Sequence, residues 1–295
     1  MNIRARVAAS LAGLALLSSA VFASTTGTAI IGQVDRYEVM RGDTLGLVAA
    51  RFGVEPAVLA RDNNLKTNAR LTPGDILHVD NRHIVPSGFT EGIVVNLPQR
   101  RLFLFRNGEV LHSYPVSIGM IDWRTPTGEF AIQTREVDPT WDVPKSIQAK
   151  MARKGERVLT KVAPGPDNPL GTRWIGVNGS IGIHGTNAPS SIFKYATHGC
   201  VRMATEDVEH LFELVAEGDP VAFIYEPVLV ARQGDDVFVE VHKDPYSRGG
   251  VTRDAIASRL EAVGAGAFAS HPDIAVALKA REGRAMELSV HTLAA

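Results

Sequence analysis

Residues 183–203 read IHGTNAPSSIFKYATHGCVRM and include Cys200, the only cysteine of this 295-residue chain. Two histidines, His184 and His198, lie in the same stretch. A thiol attacks as the thiolate, and a histidine within hydrogen-bond reach lowers its pKa or removes its proton. The pattern therefore predicts a nucleophilic cysteine. The alternative is a small buried hydrophobic residue, a common role for free cysteine.

The spacing of these residues suits acyl transfer. Residues Ser180–Ile183 predict a strand that runs into His184, and an extended backbone puts His198 and Cys200 on one face. Gly199 lets the chain turn, so that the backbone amide of the cysteine can face a developing oxyanion. One cysteine and two histidines at this spacing miss the paired-ligand patterns of zinc sites, so neither a metal nor another cofactor is predicted.

The motif H-G-T followed by [S/T]-H-G-C-[V/I]-R resembles the signature of the L,D-transpeptidase catalytic domain, a family described as YkuD-type or ErfK/YbiS-like. Further blocks extend the resemblance over Gly92–Pro227: VVNLPQRRLFLF, YPVSIG, TPTGEF, PTWDVP and PGPDNPLGTRWIGV. The resemblance implies a mainly β, sandwich-like catalytic domain, expected here over residues 91–226. It also implies a cysteine acyltransferase that acts on peptidoglycan stem peptides and is inhibited mainly by carbapenems among the β-lactams.

The resemblance assigns a role to each residue of the motif. Cys200 is the nucleophile and His184 is the general base. The remaining roles are oxyanion formation and orientation for His198, Gly199 and Gly185, and substrate binding for Arg202 and Thr197. Two structural alternatives stay open, a salt bridge for the arginine and loop packing for His198.

A second unit is expected over residues 36–80, where apolar spacing predicts two helices between two short strands, a β-α-α-β fold. Its pattern Y-x-V-x-x-G-D-T-L, F-G-V, N-x-L and L-x-x-G-x-x-L resembles a LysM domain, which binds the N-acetylglucosamine-containing glycan of peptidoglycan or chitin. The resemblance places the sugar groove at five residues, Gly42, Asp43, Thr44, Asn63 and Asn64. The alternative for Gly42 and Asp43 is a tight turn and the N-cap of the first helix.

The N-terminus predicts export. Residues 1–23 combine Arg4 and Arg6, a short apolar run and small residues before Ser24, which is typical of a cleaved signal peptide. An uncleaved membrane anchor is the alternative, but the run is shorter than the roughly 20 apolar residues of a membrane span. Residues 24–35 are expected to be a linker. The mature protein is expected in the periplasm without a transmembrane segment.

The net charge and the remaining residues further limit the possible partners. A net charge of −1 provides no basic field for nucleic acid. Residues 227–295 predict a strand and two helices, form an extension of unknown role and carry no functional motif. The expected partners are peptidoglycan and, as an acyl acceptor, an outer-membrane lipoprotein.

The sequence as a whole predicts an L,D-transpeptidase that forms 3–3 cross-links or anchors a lipoprotein to the wall. An L,D-carboxypeptidase or another cysteine peptidoglycan hydrolase is the first alternative. A wall-binding protein without catalytic activity is the second.

Overall fold

The computed structural model describes residues 29–289. The expected signal peptide, residues 1–23, and the start of the expected linker lie outside this range. Strands dominate and the helices are short, which confirms the mainly β fold with a small β-α-α-β unit in front. Within residues 29–289, no helix has the length and apolar character needed to cross a bilayer.

The helices of the N-terminal unit begin and end at residues that are recognisable in the sequence. The first helix ends at Gly53, which adopts a left-handed φ of 68°, and the second begins with Pro56 in its first turn. The two helices cover an antiparallel pair of strands. The elements are β1 (Ile30–Ile31), β2 (Val34–Glu38), α1 (Leu45–Phe52), α2 (Pro56–Asp62), β3 (Ile76–Asp80) and β4 (His83–Ile84).

The expectation of a linker over residues 24–35 is wrong for the described part. Ile30 and Ile31 pair with Ile84 and His83 in an antiparallel ladder, and β2 begins at Val34. The N-terminal strand is therefore fastened to the segment between the two units.

The larger unit has two sheets around one core. Asn107 and Gly108 have φ of 53° and 80°, the conformation that a two-residue hairpin turn requires, and they join two antiparallel strands. The strands are β5 (Gly92–Asn96), β6 (Arg101–Arg106), β7 (Glu109–Pro115), β8 (Ile118–Gly119), β9 (Gly128–Ala131), β10 (Thr134–Val137), β11 (Trp141–Asp142), β12 (Lys161–Val162), β13 (Arg173–Asn178), β14 (Ile181–His184), β15 (Tyr195–Thr197), β16 (Val201–Arg202) and β17 (Pro220–Ile224). The helices are α3 (Lys145–Arg153) and α4 (Thr205–Leu214).

One sheet has the strand order β7-β6-β5-β17-β9 and the other has β10-β13-β14-β16. Residues of both sheets and of α4 form a single apolar core, in which each fully buried large side chain stabilises the fold by about 1.5–3 kcal/mol. β9 and β10 are separate strands because the chain leaves the first sheet at Ile132, which is buried, and enters the second.

The C-terminal extension packs into the larger unit. Tyr246 lies fully buried in the catalytic core, where its hydroxyl donates to Gly119 O at 2.9 Å and accepts from Thr125 N at 3.1 Å. The described elements of the extension are β18 (Val228–Gln233), β19 (Asp236–Val241), α5 (Arg253–Ala262), α6 (Pro272–Ala280) and β20 (Met286–Leu288).

A buried carboxylate joins the parts of the chain. Glu240 on β19 has no solvent-exposed surface. It accepts hydrogen bonds from His83 Nδ1 at 2.9 Å, Gln99 Nε2 at 3.1 Å, His242 Nε2 at 2.7 Å and the backbone N–H of Ile84. The extension is thereby linked to β4 and to the turn between β5 and β6.

Candidate active site

Two neighbouring strands place the predicted reactive residues on one face. β14 and β16 run parallel, with Ile183 opposite Val201 and His184 opposite Arg202. Ile183 and Val201 are fully buried and face the core. Side chains alternate along a strand, so His184 and Arg202 face the other way, as does Cys200 two residues before the arginine.

These side chains line a cleft of about 460 Å³. All three tryptophans of the chain also line it, Trp123, Trp141 and Trp174. Their common location could not be predicted from the sequence, because they belong to separate loops and strands. Ser146 and Ile147 bring the edge of α3 to the same cleft. The cleft therefore combines one thiol and two imidazoles with large aromatic walls.

The turn that presents the cysteine depends on two neighbouring residues. Gly199 has φ of 113°, a conformation that strains any residue with a side chain, and a Cβ there would also lie 2.9 Å from Ile181 Cδ1. The Thr197 hydroxyl donates to Cys200 O at 2.6 Å and accepts from Gly199 N at 3.3 Å. Thr197 thus closes the turn, and it also lines the cleft.

The imidazole of His184 is buried and held in one tautomer. Its Nδ1 lies 2.7 Å from the carbonyl oxygen of Gly185, which can only accept, so Nδ1 carries the proton. The indole of Trp174 stacks beside the ring at 6.1 Å. The opposite nitrogen, Nε2, is then the one that can take up a proton.

Burial and a nearby cation set the ionisation of this pair. Burial first, and then the charge of Arg202, lowers the pKa of His184 to about 3. Burial raises the pKa of the Cys200 thiol, although the backbone of Gly182 and the charge of Arg202 act in the opposite direction. Both shifts favour the neutral form, a thiol and an unprotonated imidazole, and the thiol itself donates to the carbonyl oxygen of Ser180 at 3.5 Å.

Arg202 has room for a substrate anion. Its guanidinium donates to Ser191 Oγ at 2.9 Å, while its buried Nε has no partner in the described residues. Within residues 29–289 it forms no salt bridge with an acidic side chain, which is the structural role that the sequence had left open for this arginine. The arginine also lines the cleft, where a carboxylate can reach it.

His198 packs against the wall of the cleft. Its ring meets Trp123 edge to face at 4.7 Å, and its buried Nε2 has no partner in the part of the chain that the structure describes. Burial and then the charges of Lys150 and Arg202 lower its pKa. The ring is thus placed both to pack the loop and to offer an unused nitrogen to the cleft.

In the N-terminal unit, most of the amino acids predicted to bind glycan use their side chains to stabilise the fold. Thr44, not the predicted Asp43, caps α1, with its Oγ1 accepting from Leu47 N at 3.2 Å. The Asp43 carboxylate instead accepts from Met40 N at 2.9 Å and from the Tyr37 hydroxyl at 2.5 Å. These bonds close the turn that precedes the helix.

Asn63 is used in the same way. Its Nδ2 donates to Leu59 O and His78 O, both at 2.8 Å, and its Oδ1 accepts from His78 N at 2.7 Å. Gly42 and Asn64 are exposed, with φ of 94° and 56°. A sugar at this surface would meet these two residues and the backbone of the others.

The comparisons with known proteins agree with this architecture. The profile of the L,D-transpeptidase catalytic domain matches residues 90–223, and that of the LysM domain matches residues 37–80. A LysM domain joined to this catalytic domain defines the class as a wall-directed enzyme.

Three relatives illustrate the similarity. The probable L,D-transpeptidase YbiS of Escherichia coli K12 is 31% identical over 74% of this chain and 73% of its own length. The probable L,D-transpeptidase ErfK/SrfK of Salmonella typhimurium is 31% identical over 75% and 73%. The putative L,D-transpeptidase YkuD of Bacillus subtilis is 32% identical over 62% and 94%. The chain belongs to the L,D-transpeptidase family.

Proposed function

We propose that this enzyme cleaves the L,D bond between diaminopimelate and the terminal D-Ala of a tetrapeptide stem and transfers the acyl group to an amine. The observation that carries the proposal is that Cys200 and His184 line one cleft, with His184 Nδ1 fixed by Gly185 O at 2.7 Å so that Nε2 is left to act as a base. Such a pair suits general-base activation of a thiol.

In the acylation half-reaction, Nε2 of His184 takes the thiol proton as Cys200 Sγ attacks the carbonyl carbon of diaminopimelate. The tetrahedral oxyanion is stabilised by the backbone amide of Cys200 at the turn that Gly199 permits. The C–N bond then breaks, the leaving D-Ala amine takes the proton from the imidazole, and a thioester remains.

In the second half-reaction an acceptor amine loses its proton to His184 and attacks the thioester, which restores the thiol. Arg202 supports binding of a stem carboxylate, and the carboxylates of Glu136 and Asp142 at the same cleft favour an ammonium group. A stem diaminopimelate as acceptor gives a 3–3 cross-link. The terminal lysine of an outer-membrane lipoprotein gives a protein anchor.

The LysM domain supplies the second contact with the wall. Binding of glycan holds the enzyme near many stems and raises their local concentration, as any tethered second site does. The expected signal peptide would deliver the enzyme to the periplasm, where peptidoglycan and lipoproteins meet. Gly42 and Asn64, together with the backbone of Asp43, Thr44 and Asn63, are the proposed glycan contacts.

Incubation of the mature protein with soluble tetrapeptide-bearing fragments of the wall tests the proposal. Release of D-Ala together with a cross-linked dimer, or with a lipoprotein peptide when one is supplied, is the expected outcome. Release of D-Ala with only the tripeptide as second product would make the enzyme an L,D-carboxypeptidase. Absence of any product alongside binding to wall would leave a non-catalytic wall-binding protein.

A further inference from the structure

The LysM domain packs directly on the loop that joins the two halves of the active site. This loop, residues 185–199, connects the histidine at the end of β14 to the turn of Cys200. Ala50 on α1 forms a buried apolar cluster with Ile192 and Phe193 of the loop. The domain is thus in contact with the catalytic machinery as well as being linked to it by the chain.

A buried arginine lies at the centre of this contact. Arg100, in the turn between β5 and β6, is 5% exposed. One guanidinium nitrogen donates to Phe193 O at 2.7 Å, and another donates to Glu55 Oε1 of the LysM domain at 2.6 Å. The guanidinium also lies 3.8 Å from the centre of the Phe193 ring and 5.0 Å from that of Tyr195. It therefore contacts the loop by a hydrogen bond and by stacking on two rings.

The backbone at both ends of this contact is in an uncommon conformation. Arg100 has φ of 51° and Phe193 has φ of 61°, values that cost free energy for residues with large side chains. Such conformations persist only where the surroundings impose them. The hydrogen bond from the guanidinium to Phe193 O is one contact that does so.

Glu55 is available for this role because it does not serve its own helix. It occupies the N-cap of α2 without a side-chain capping bond. Its carboxylate binds the Arg100 guanidinium and lies 3.4 Å from Lys243 Nζ of the C-terminal extension. Three parts of the chain, the LysM domain, the catalytic domain and the extension, therefore meet at one carboxylate.

The loop connects Arg100 to the reactive residues. Ser191, two residues before Phe193, accepts a hydrogen bond from Arg202 through its Oγ at 2.9 Å. The guanidinium of Arg202 in turn acts on the ionisation of both Cys200 and His184. A displacement of the loop would thus move the cation that tunes the thiol and its base.

We propose that Arg100 is a positioning residue for the transfer reaction. It fixes Phe193 and thereby holds in place the loop that joins the reactive residues. Glu55 of the LysM domain in turn keeps Arg100 in position. The LysM domain then contributes to turnover even on a substrate too small to gain from wall binding. This inference rests on the proposed function for its kinetic test, but not for its test by thiol alkylation.

The experiment compares Glu55→Gln with Glu282→Gln in the full mature chain. Glu282 of the extension binds Arg61 on α2 and so forms another LysM contact, remote from the loop. On soluble tetrapeptide, Glu55→Gln should lower kcat roughly tenfold, since it misplaces the catalytic groups, and it should raise KM as well, since Arg202 is also the proposed contact of a stem carboxylate. Glu282→Gln should leave both constants near wild type. Arg100→Met should lower kcat further.

Alkylation of Cys200 by iodoacetamide gives a readout that needs no substrate turnover. In Glu55→Gln the pH midpoint of alkylation should rise, because Arg202 no longer lies where it favours the thiolate, whereas in Glu282→Gln it should stay unchanged. Equal kcat and equal midpoints in the two variants, both folded by near-UV circular dichroism, would overturn the role of Arg100 and Glu55. A wild-type enzyme that alkylates normally but never releases D-Ala would instead contradict the proposed function.

Discussion

His184 and Arg202 are register partners on neighbouring parallel strands, so a cation lies across from the imidazole of the active site. Together with burial, this charge keeps the ring neutral far below the ordinary pKa of histidine. The arrangement favours a base that is unprotonated at every pH at which the wall is assembled. It also means that the charge of Arg202 acts on the thiol and the base from one position at the cleft.

The first prediction concerns pH. A general base works only in its unprotonated form, and the pKa of His184 is lowered to about 3. The acidic limb of kcat/KM should therefore lie below about pH 5, well under the value near 6.5 of a free histidine. Burial raises the pKa of the Cys200 thiol above its ordinary value, so the thiolate gains population only on the alkaline side and its ionisation adds no acidic limb near neutral pH. Initial rates on soluble tetrapeptide from acid to alkaline pH would test this, and a half-maximal rate near pH 6.5 would contradict it.

The second prediction separates chemistry from packing at the active site. Cys200→Ala should abolish D-Ala release while changing the free energy of unfolding by no more than about 1 kcal/mol, as for a residue outside the core. His184→Ala should slow acylation by a factor on the order of 10²–10⁴. His198→Ala is the matched control and should cost less. Stopped-flow acylation rates and urea unfolding check both parts. If His198→Ala were the slower variant, the two histidines would exchange roles.

Local signals account for the elements that the sequence predicted correctly. The strand that ends at His184 and the two helices of the LysM domain each depend on residues close together in the chain. The same holds for the turn at Gly199, whose positive φ only glycine adopts without strain. These features include the residues of the proposed nucleophile and base.

Features that depend on distant packing were not predicted. Helix α3 has no buried residue, so it lacks the apolar stripe by which a helix is predicted from sequence. Tyr246 and Glu240 contact residues more than a hundred positions away, which no local pattern encodes. The side chains of Thr197 and Asn63 looked available in the sequence, and only the fold shows that nearby backbone groups occupy them.

The third prediction concerns the buried carboxylate that joins the domains. Glu240→Gln places an amide N–H among the donors of His83, Gln99 and His242, so a buried interaction is lost. The free energy of unfolding should fall by about 1–3 kcal/mol, the cost of leaving buried donors without an acceptor. Glu226→Gln is the control, because its carboxylate is one-third exposed and only 3.6 Å from Arg259, a contact worth at most about 1 kcal/mol.

The same variant should change the response to acid. Burial alone would raise the pKa of Glu240, but the contact with His83 and the hydrogen bond from His242 lower it below its ordinary value. Burial lowers the pKa of His83 to about 4, so this imidazole is a neutral donor at pH 7. A lowered folded-state pKa stabilises the protein above the unfolded value of about 4.3 and loses this effect as pH falls below it. Urea unfolding at pH 7 and at lower pH should therefore show a weaker pH dependence in Glu240→Gln than in wild type. Identical slopes would contradict the role of this carboxylate.

The last prediction concerns β-lactams as acyl donors. A carbapenem presents a strained amide to the cleft, and Cys200 should open it and keep the acyl group as a thioester, with the carbonyl oxygen held by the amide at the Gly199 turn. The intact mass of the mature protein should rise by one drug molecule, whereas a penicillin should react poorly. The adduct should disappear in Cys200→Ser, because a hydroxyl with a much higher pKa is not activated by the same base, and it should form far more slowly in His184→Ala. Peptide mapping of the adduct identifies the labelled residue. Labelling at any residue other than Cys200, or no labelling of an enzyme that turns over tetrapeptide, would contradict the active site proposed for this chain.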